Sequence, residues 1–127
     1  MSEGKILVVD DEPLVTTLIN QILSTEGYTV LECNSAQEGL DVFKKEKPDL
    51  TLLDIGMPRM DGYEFCEKIK EFAPSETPAV VFLSGRSEQE DAGRSFDVGA
   101  FSYIRKPFSN ASLKQFVDLA FSSLRSM

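Results

Sequence analysis

Apolar residues along the chain fall into short continuous runs that alternate with segments of helical spacing. The first run, Lys5-Ile6-Leu7-Val8-Val9, leads through Asp10-Asp11-Glu12-Pro13 into Leu14, Val15, Leu18, Ile19, Ile22 and Leu23, which share one helix face before Gly27 stops it. Residues 28–33 mix polar and apolar positions, as a sheet edge does, and Ser35-Ala36-Gln37-Glu38 reads as a capping box opening a second helix. A third run covers residues 50–53, and beyond Pro58 and Gly62 a helix presents Phe65, Cys66, Ile69 and Phe72. The fourth run is residues 79–83. The helix predicted after it, residues 87–97, has only Ala92 and Phe96 as apolar positions and carries Gly93 inside. An interior glycine costs a helix about 1 kcal/mol relative to alanine, so this segment is expected to shift more easily than its neighbours. Residues 101–104 form the fifth run, and a final helix aligns Leu113, Phe116, Val117, Ala120, Phe121 and Leu124.

Regular alternation of strand and helix predicts an α/β fold, a three-layer, doubly wound, five-stranded parallel sheet covered on both faces. With 127 residues, no internal repeat and no linker-like stretch, residues 1–127 are expected to form one domain without a separate output module.

Composition narrows the function. The apolar share of 42% is ordinary, and no run approaches the roughly 18 apolar residues of a membrane span. The N-terminus lacks the charged start and hydrophobic stretch of a secretory signal, and Cys33 and Cys66 are unpaired in spacing, so a cytoplasmic protein with reduced thiols is expected. A net charge of -8 without a cationic cluster speaks against direct binding to nucleic acid or to a membrane surface. The complete absence of histidine removes histidine-based triads and histidine-ligated zinc, and any phosphohistidine must come from another protein.

In open α/β sheets, ligands bind beyond the carboxyl ends of the strands. At those ends this sequence places Asp10 and Asp11, then Asp54, then Ser84 followed by Gly85, and finally Lys106 followed by Pro107. Three carboxylates at one rim repel each other, and a hard divalent cation relieves the repulsion while keeping positions for phosphate oxygens. Mg2+ is the expected cofactor, with Mn2+ an acceptable substitute, held by Asp10, Asp11, Asp54 and the backbone carbonyl of Gly56. Asp54 then reads as a nucleophile toward a phosphoryl group, Lys106 as its counter-charge and Ser84 as a hydroxyl donor to phosphoryl oxygen. Singly, each has a plainer reading: an acidic helix start, a loop acid, a surface lysine, a surface serine. Independent surface residues have no reason to fall at the ends of four strands.

These residues resemble those of the response-regulator receiver domains of two-component systems, the CheY-like domains. The carriers are Val8-Val9-Asp10-Asp11-Glu12-Pro13, the stretch from Leu53-Asp54 through Gly56 and Pro58 to Asp61-Gly62, Leu83-Ser84-Gly85, and Gly99-Ala100 through Tyr103 to Lys106-Pro107-Phe108. The resemblance implies the strand order 2-1-3-4-5, a phosphoacceptor role for Asp54, a cis Lys106-Pro107 bond, and a switch in which Ser84 and Tyr103 move together. It implies a sensor histidine kinase or histidine phosphotransfer protein as donor. It also implies an unidentified protein target, read through the fourth helix, fifth strand and last helix, and either a monomer or a phosphorylation-linked homodimer. Gly56 and Arg86 stand two residues after Asp54 and Ser84 and are expected to tune the lifetime of the aspartyl phosphate. Many relatives carry a small or polar residue near Phe101, which would suit a partner surface if exposed.

Two rivals share parts of this pattern. An aspartyl-nucleophile phosphatase resembles D-x-D at its nucleophile, but Gly56 occupies the second acidic position and cannot transfer a proton. A phosphorylation-independent interaction module would have no need of Asp10, Asp11, Asp54, Ser84 and Lys106 together.

Overall fold

A computed structural model describes residues 4–56, 62–72, 79–84, 102–106 and 108–125 of the chain. Its strands are β1 (Lys5–Val9), β2 (Thr29–Cys33), β3 (Leu50–Asp54), β4 (Val80–Ser84) and β5 (Ser102–Arg105). The helices are α1 (Pro13–Ser24), α2 (Ala36–Glu46), α3 (Gly62–Phe72) and α4 (Asn110–Arg125). The sheet is parallel throughout, in the order β2-β1-β3-β4-β5 that the resemblance implied. The weak helix predicted over residues 87–97, together with Gly85, Arg86, Phe101 and Pro107, lies outside the described residues.

Side chains alternate across a strand, so each buried strand feeds two cores. Ile6, Val8, Leu50, Leu52, Val81 and Leu83 point to the side covered by α1 and α4, where Ile19, Leu23, Leu113, Val117 and Phe121 meet them. Leu7, Val9, Leu53, Val80 and Phe82 point the other way, onto Leu40 and Phe43 of α2 and Phe65, Cys66 and Ile69 of α3. The continuous apolar runs of β1, β3 and β4 are explained by this double burial. A hydrogen bond from the Tyr28 hydroxyl to Asp118 at 2.7 Å and a ring contact with Phe121 anchor the start of β2 to α4.

Local chemistry fixes the helix boundaries. Pro13 opens α1 at a position where a missing N–H costs nothing. Ser35 caps α2, its hydroxyl accepting from the Glu38 N–H at 3.2 Å, and Lys44 and Lys45 sit in the last turn, where the helix dipole favours cations. Helix α2 crosses β1 closely at Gly39: a methyl group there would lie 2.8 Å from Val9 Cγ2 and 3.0 Å from Phe65 Cε2.

Helix α1 departs from its expected face. Ile19, Ile22 and Leu23 are buried as expected, but Leu14 is 84% and Leu18 42% exposed, and Thr16 is buried in their place. The apolar stripe is wider than the face that α1 buries, and Thr16 rather than Leu14 or Leu18 takes the inward place near its start.

Candidate functional site

Parallel strands in level register deliver their following residues to one edge. Val9 pairs with both Cys33 and Leu53, Asp54 with Leu83, and Ser84 with Arg105. Asp10, Asn34, Asp54, Ser84 and Lys106 therefore lie along a single rim, each from a different strand end.

Asp10 is the most enclosed of them, with 0% exposure, and each of its polar atoms is engaged. Its N–H donates to the Cys33 carbonyl at 3.1 Å, and its carbonyl accepts from Asn34 Nδ2 at 3.0 Å. Its Oδ1 accepts from the Glu12 N–H at 3.0 Å, and its Oδ2 accepts from Lys106 Nζ at 2.7 Å. The same ammonium lies 3.5 Å from Asp54 Oδ1, which also accepts from the Gly56 N–H at 3.4 Å. Lys106 Nζ thus stands within ion-pair distance of both carboxylates, and its shorter bond is to Asp10.

The electrostatics follow from this crowding. Burial raises the Asp54 pKa above the ordinary carboxylate value, and the charges of Asp10 and Asp11 push it further; Lys106 and the Gly56 N–H offset this incompletely. For Lys106, burial works against the charged form, but the hydrogen bond to Asp10 and the charge of Asp54 outweigh it, so its pKa stays above that of a free lysine. The site holds a firmly protonated ammonium beside a carboxylate that ionises at some cost.

The donor set fits a hard divalent cation. Carboxylate oxygens of Asp10, Asp11 and Glu12 lie within 4.8 Å of one another, with Asp54 tied to Asp10 through Lys106. Oxygen ligands of this kind suit Mg2+, which keeps several positions for water or phosphate oxygens. Glu12 was not among the expected ligands. Its signal was present as the third acid in a row before Pro13, but that pattern also describes a plain helix start, and Glu12 does stand at the α1 N-cap. Of the remaining expected residues, Gly56 is exposed, and a methyl group on it would meet no described atom within 4 Å. The backbones of Ser84 and Tyr103 stand in β4 and β5, their side chains lie outside the described residues, and Arg86 is outside them altogether.

Beside the rim, Glu12, Val15, Leu18, Lys106 and Phe108 line a cavity of about 400 Å³. It gives Lys106 an apolar wall on the α1 side. Cys33 and Cys66 are buried, and both thiol pKa values are pushed up to about 12, chiefly by burial. Neither is a reactive nucleophile at neutral pH.

Comparison with known proteins agrees with this architecture. The family described as Response regulator receiver domain matches residues 6–118. The transcriptional regulatory protein YvrH of Bacillus subtilis (strain 168) is 41% identical over 114 residues, covering 89% of this chain and 47% of that protein. A probable transcriptional regulator, ycf27 of Porphyridium aerugineum, is 37% identical over 114 residues, covering 90% of this chain and 46% of its own. The chain therefore spans about half the length of these curated relatives. The solved structure of a CheY-like response regulator receiver domain protein from Methanospirillum hungatei JF-1 matches with a TM-score of 0.88 and 31% identity over 98% of both chains. Matching in sequence over most of its length and in fold over nearly all of it, this chain belongs to the response regulator receiver domains of two-component signal transduction.

Proposed function

We propose that residues 1–127 form a single phosphoacceptor domain in which Asp54 takes a phosphoryl group from the phosphohistidine of a sensor histidine kinase or histidine phosphotransfer protein. The observation that carries this reading is the pairing of one ammonium with two carboxylates, Lys106 with Asp10 at 2.7 Å and Asp54 at 3.5 Å, at the strand ends. An Asp54 oxygen attacks phosphorus in line. The P–O bond to Asp54 forms as the P–N bond to the donor imidazole breaks, and the imidazole nitrogen keeps the electron pair and takes up a proton. Lys106, already placed between the two carboxylates, neutralises the phosphoryl oxygens that arrive beside Asp54. Mg2+, or Mn2+ in its stead, would be held by Asp10, Asp11, Asp54 and the Gly56 carbonyl with Glu12 adjacent, and would supply further charge neutralisation at those oxygens.

Ser84 and Tyr103 are the proposed switch pair, and Gly56 and Arg86 the residues that tune how long the aspartyl phosphate survives. The open space around Gly56 supports that role, since a larger side chain there could reach water near Asp54 without disturbing the described packing. The domain acts as a signalling acceptor rather than a turnover enzyme, though it accelerates its own phosphorylation and dephosphorylation. A protein donor has a ready approach from the α1 side, where Leu14 and Leu18 are exposed and the cavity adjoins Lys106.

The acidic balance speaks against direct contact of these residues with nucleic acid, whereas the names of the longer relatives leave a nucleic-acid role to a larger protein. No helix among the described residues is long and apolar enough to cross a membrane, which supports a cytoplasmic placement. Output through the surface of β5, α4 and residues 87–97, as a monomer or a phosphorylation-linked homodimer, completes the proposal. Incubation with acetyl phosphate and Mg2+ followed by intact mass measurement tests it. One phosphoryl adduct on the natural chain and none on Asp54→Asn is expected; equal labelling of both, or of neither, refutes it.

A further inference from the structure

Asn34 follows β2, and its side chain serves the acidic turn rather than its own strand. Nδ2 donates at 3.0 Å to the Asp10 carbonyl and at 3.0 Å to Thr16 Oγ1. The two acceptors flank the turn: Asp10 leaves β1, Thr16 lies in the first turn of α1, and both are fully buried. Thr16 in turn donates its hydroxyl to the Pro13 carbonyl at 3.1 Å, so one polar chain runs from Asp10 across Asn34 and Thr16 to Pro13. Asp11 and Glu12 are the residues enclosed between its ends.

Each other bond of Asp10 does a different job. The Cys33 contact continues the sheet ladder, the Glu12 contact is internal to the turn, and the Lys106 contact is made by a long side chain shared with Asp54. Among the described side chains, Asn34 alone ties the turn backbone to the neighbouring strand. Three carboxylates within 4.8 Å repel one another, and a turn whose carbonyl side lacks this brace would relax by spreading them.

We infer that Asn34 is a positioning residue for the divalent cation: it braces the Asp10 to Pro13 turn so that its carboxylates keep the spacing a cation takes, and thereby sets cation affinity. The inference rests on the proposed metal site. Residues that orient ligands through hydrogen bonds commonly change metal affinity by about 10- to 100-fold when removed, and a brace acting through a backbone carbonyl belongs at the lower end.

Isothermal titration of Mg2+ into the natural chain and into Asn34→Ala tests it, together with unfolding in EDTA and phosphorylation by acetyl phosphate at saturating Mg2+. The expected result is a Kd about tenfold higher in Asn34→Ala, with the rate at saturating Mg2+ unchanged. An Asn34→Ala chain that loses stability in EDTA while keeping the natural Kd has only a structural role at that position, and overturns the inference. If Asn34→Ala does not fold, Asn34→Leu is read by the same criterion: it keeps much of the shape and adds no charge, but cannot donate to the Asp10 carbonyl. A natural chain that binds no Mg2+ overturns the metal site and this inference together; natural binding with equal binding by the variant overturns the inference alone.

Discussion

Replacing Lys106 by methionine removes the charge shared by Asp10 and Asp54 and keeps most of the aliphatic stem. Asp10 has 0% exposure, so its carboxylate cannot recruit bulk water once the 2.7 Å bond is lost. Removing one partner of a buried ion pair costs about 3–5 kcal/mol. The Lys106 side chain is 21% exposed and that of Asp54 13%, so solvent already screens part of the interaction, and about 2 kcal/mol is the reasonable expectation. For a domain of this size that is a fall of roughly 6–12 °C in Tm. The loss is expected in EDTA. With Mg2+ the cation supplies the missing positive charge, so the variant recovers most of the deficit and gains more from Mg2+ than the natural chain does. Thermal unfolding of both chains in EDTA and across a Mg2+ series reads this directly. Equal Tm values in EDTA, or equal Mg2+ increments in the two chains, would refute the account of Lys106 as the charge that balances this pair of carboxylates.

Asp54 has a raised pKa in the folded chain, so its stabilising contribution is complete below the ordinary carboxylate range and is lost as pH rises through the raised value. Asp54→Asn is therefore expected to be more stable than the natural chain at pH 7 in EDTA, an advantage that fades below about pH 4; urea unfolding across pH checks it, and a constant difference counts against it. Thr51 Oγ1 is buried with no hydrogen-bond partner among the described residues, so Thr51→Val is expected to raise stability by about 1 kcal/mol while leaving phosphorylation unchanged. A lower midpoint in urea would contradict that. Both thiols, with pKa values near 12, are expected to resist a thiol reagent at pH 8 in the native chain and to react on unfolding. Rapid native labelling of Cys33 or Cys66 would show that burial does not control them.

The sheet and its strand ends were legible because double burial writes continuous apolar runs, and because parallel strands bring the residue after each run to the same rim. Asp10, Asp54 and Lys106 meet there for that reason. What periodicity does not carry is the width of sheet available to a helix: Leu14 and Leu18 belong to the apolar stripe of α1 yet stand exposed, while Thr16 takes a buried place. Lys106 and Asp10 are 96 positions apart, so which carboxylate takes the shorter bond is decided by register and rotamer. Asn34 after a strand reads as a turn residue, and nothing in its neighbours signals that its amide reaches back to the Asp10 carbonyl. Glu12 was hidden by its second identity as the residue at the start of α1.

The chemistry proposed for Asp54 leaves an acyl phosphate, and borohydride reduces such a group to an alcohol. Phosphorylated chain, reduced and digested, is expected to carry homoserine in place of aspartate at position 54 alone, with no conversion when Mg2+ is withheld. Conversion at Asp10, Asp11 or another carboxylate, with Asp54 intact, would contradict the assignment of the phosphoacceptor.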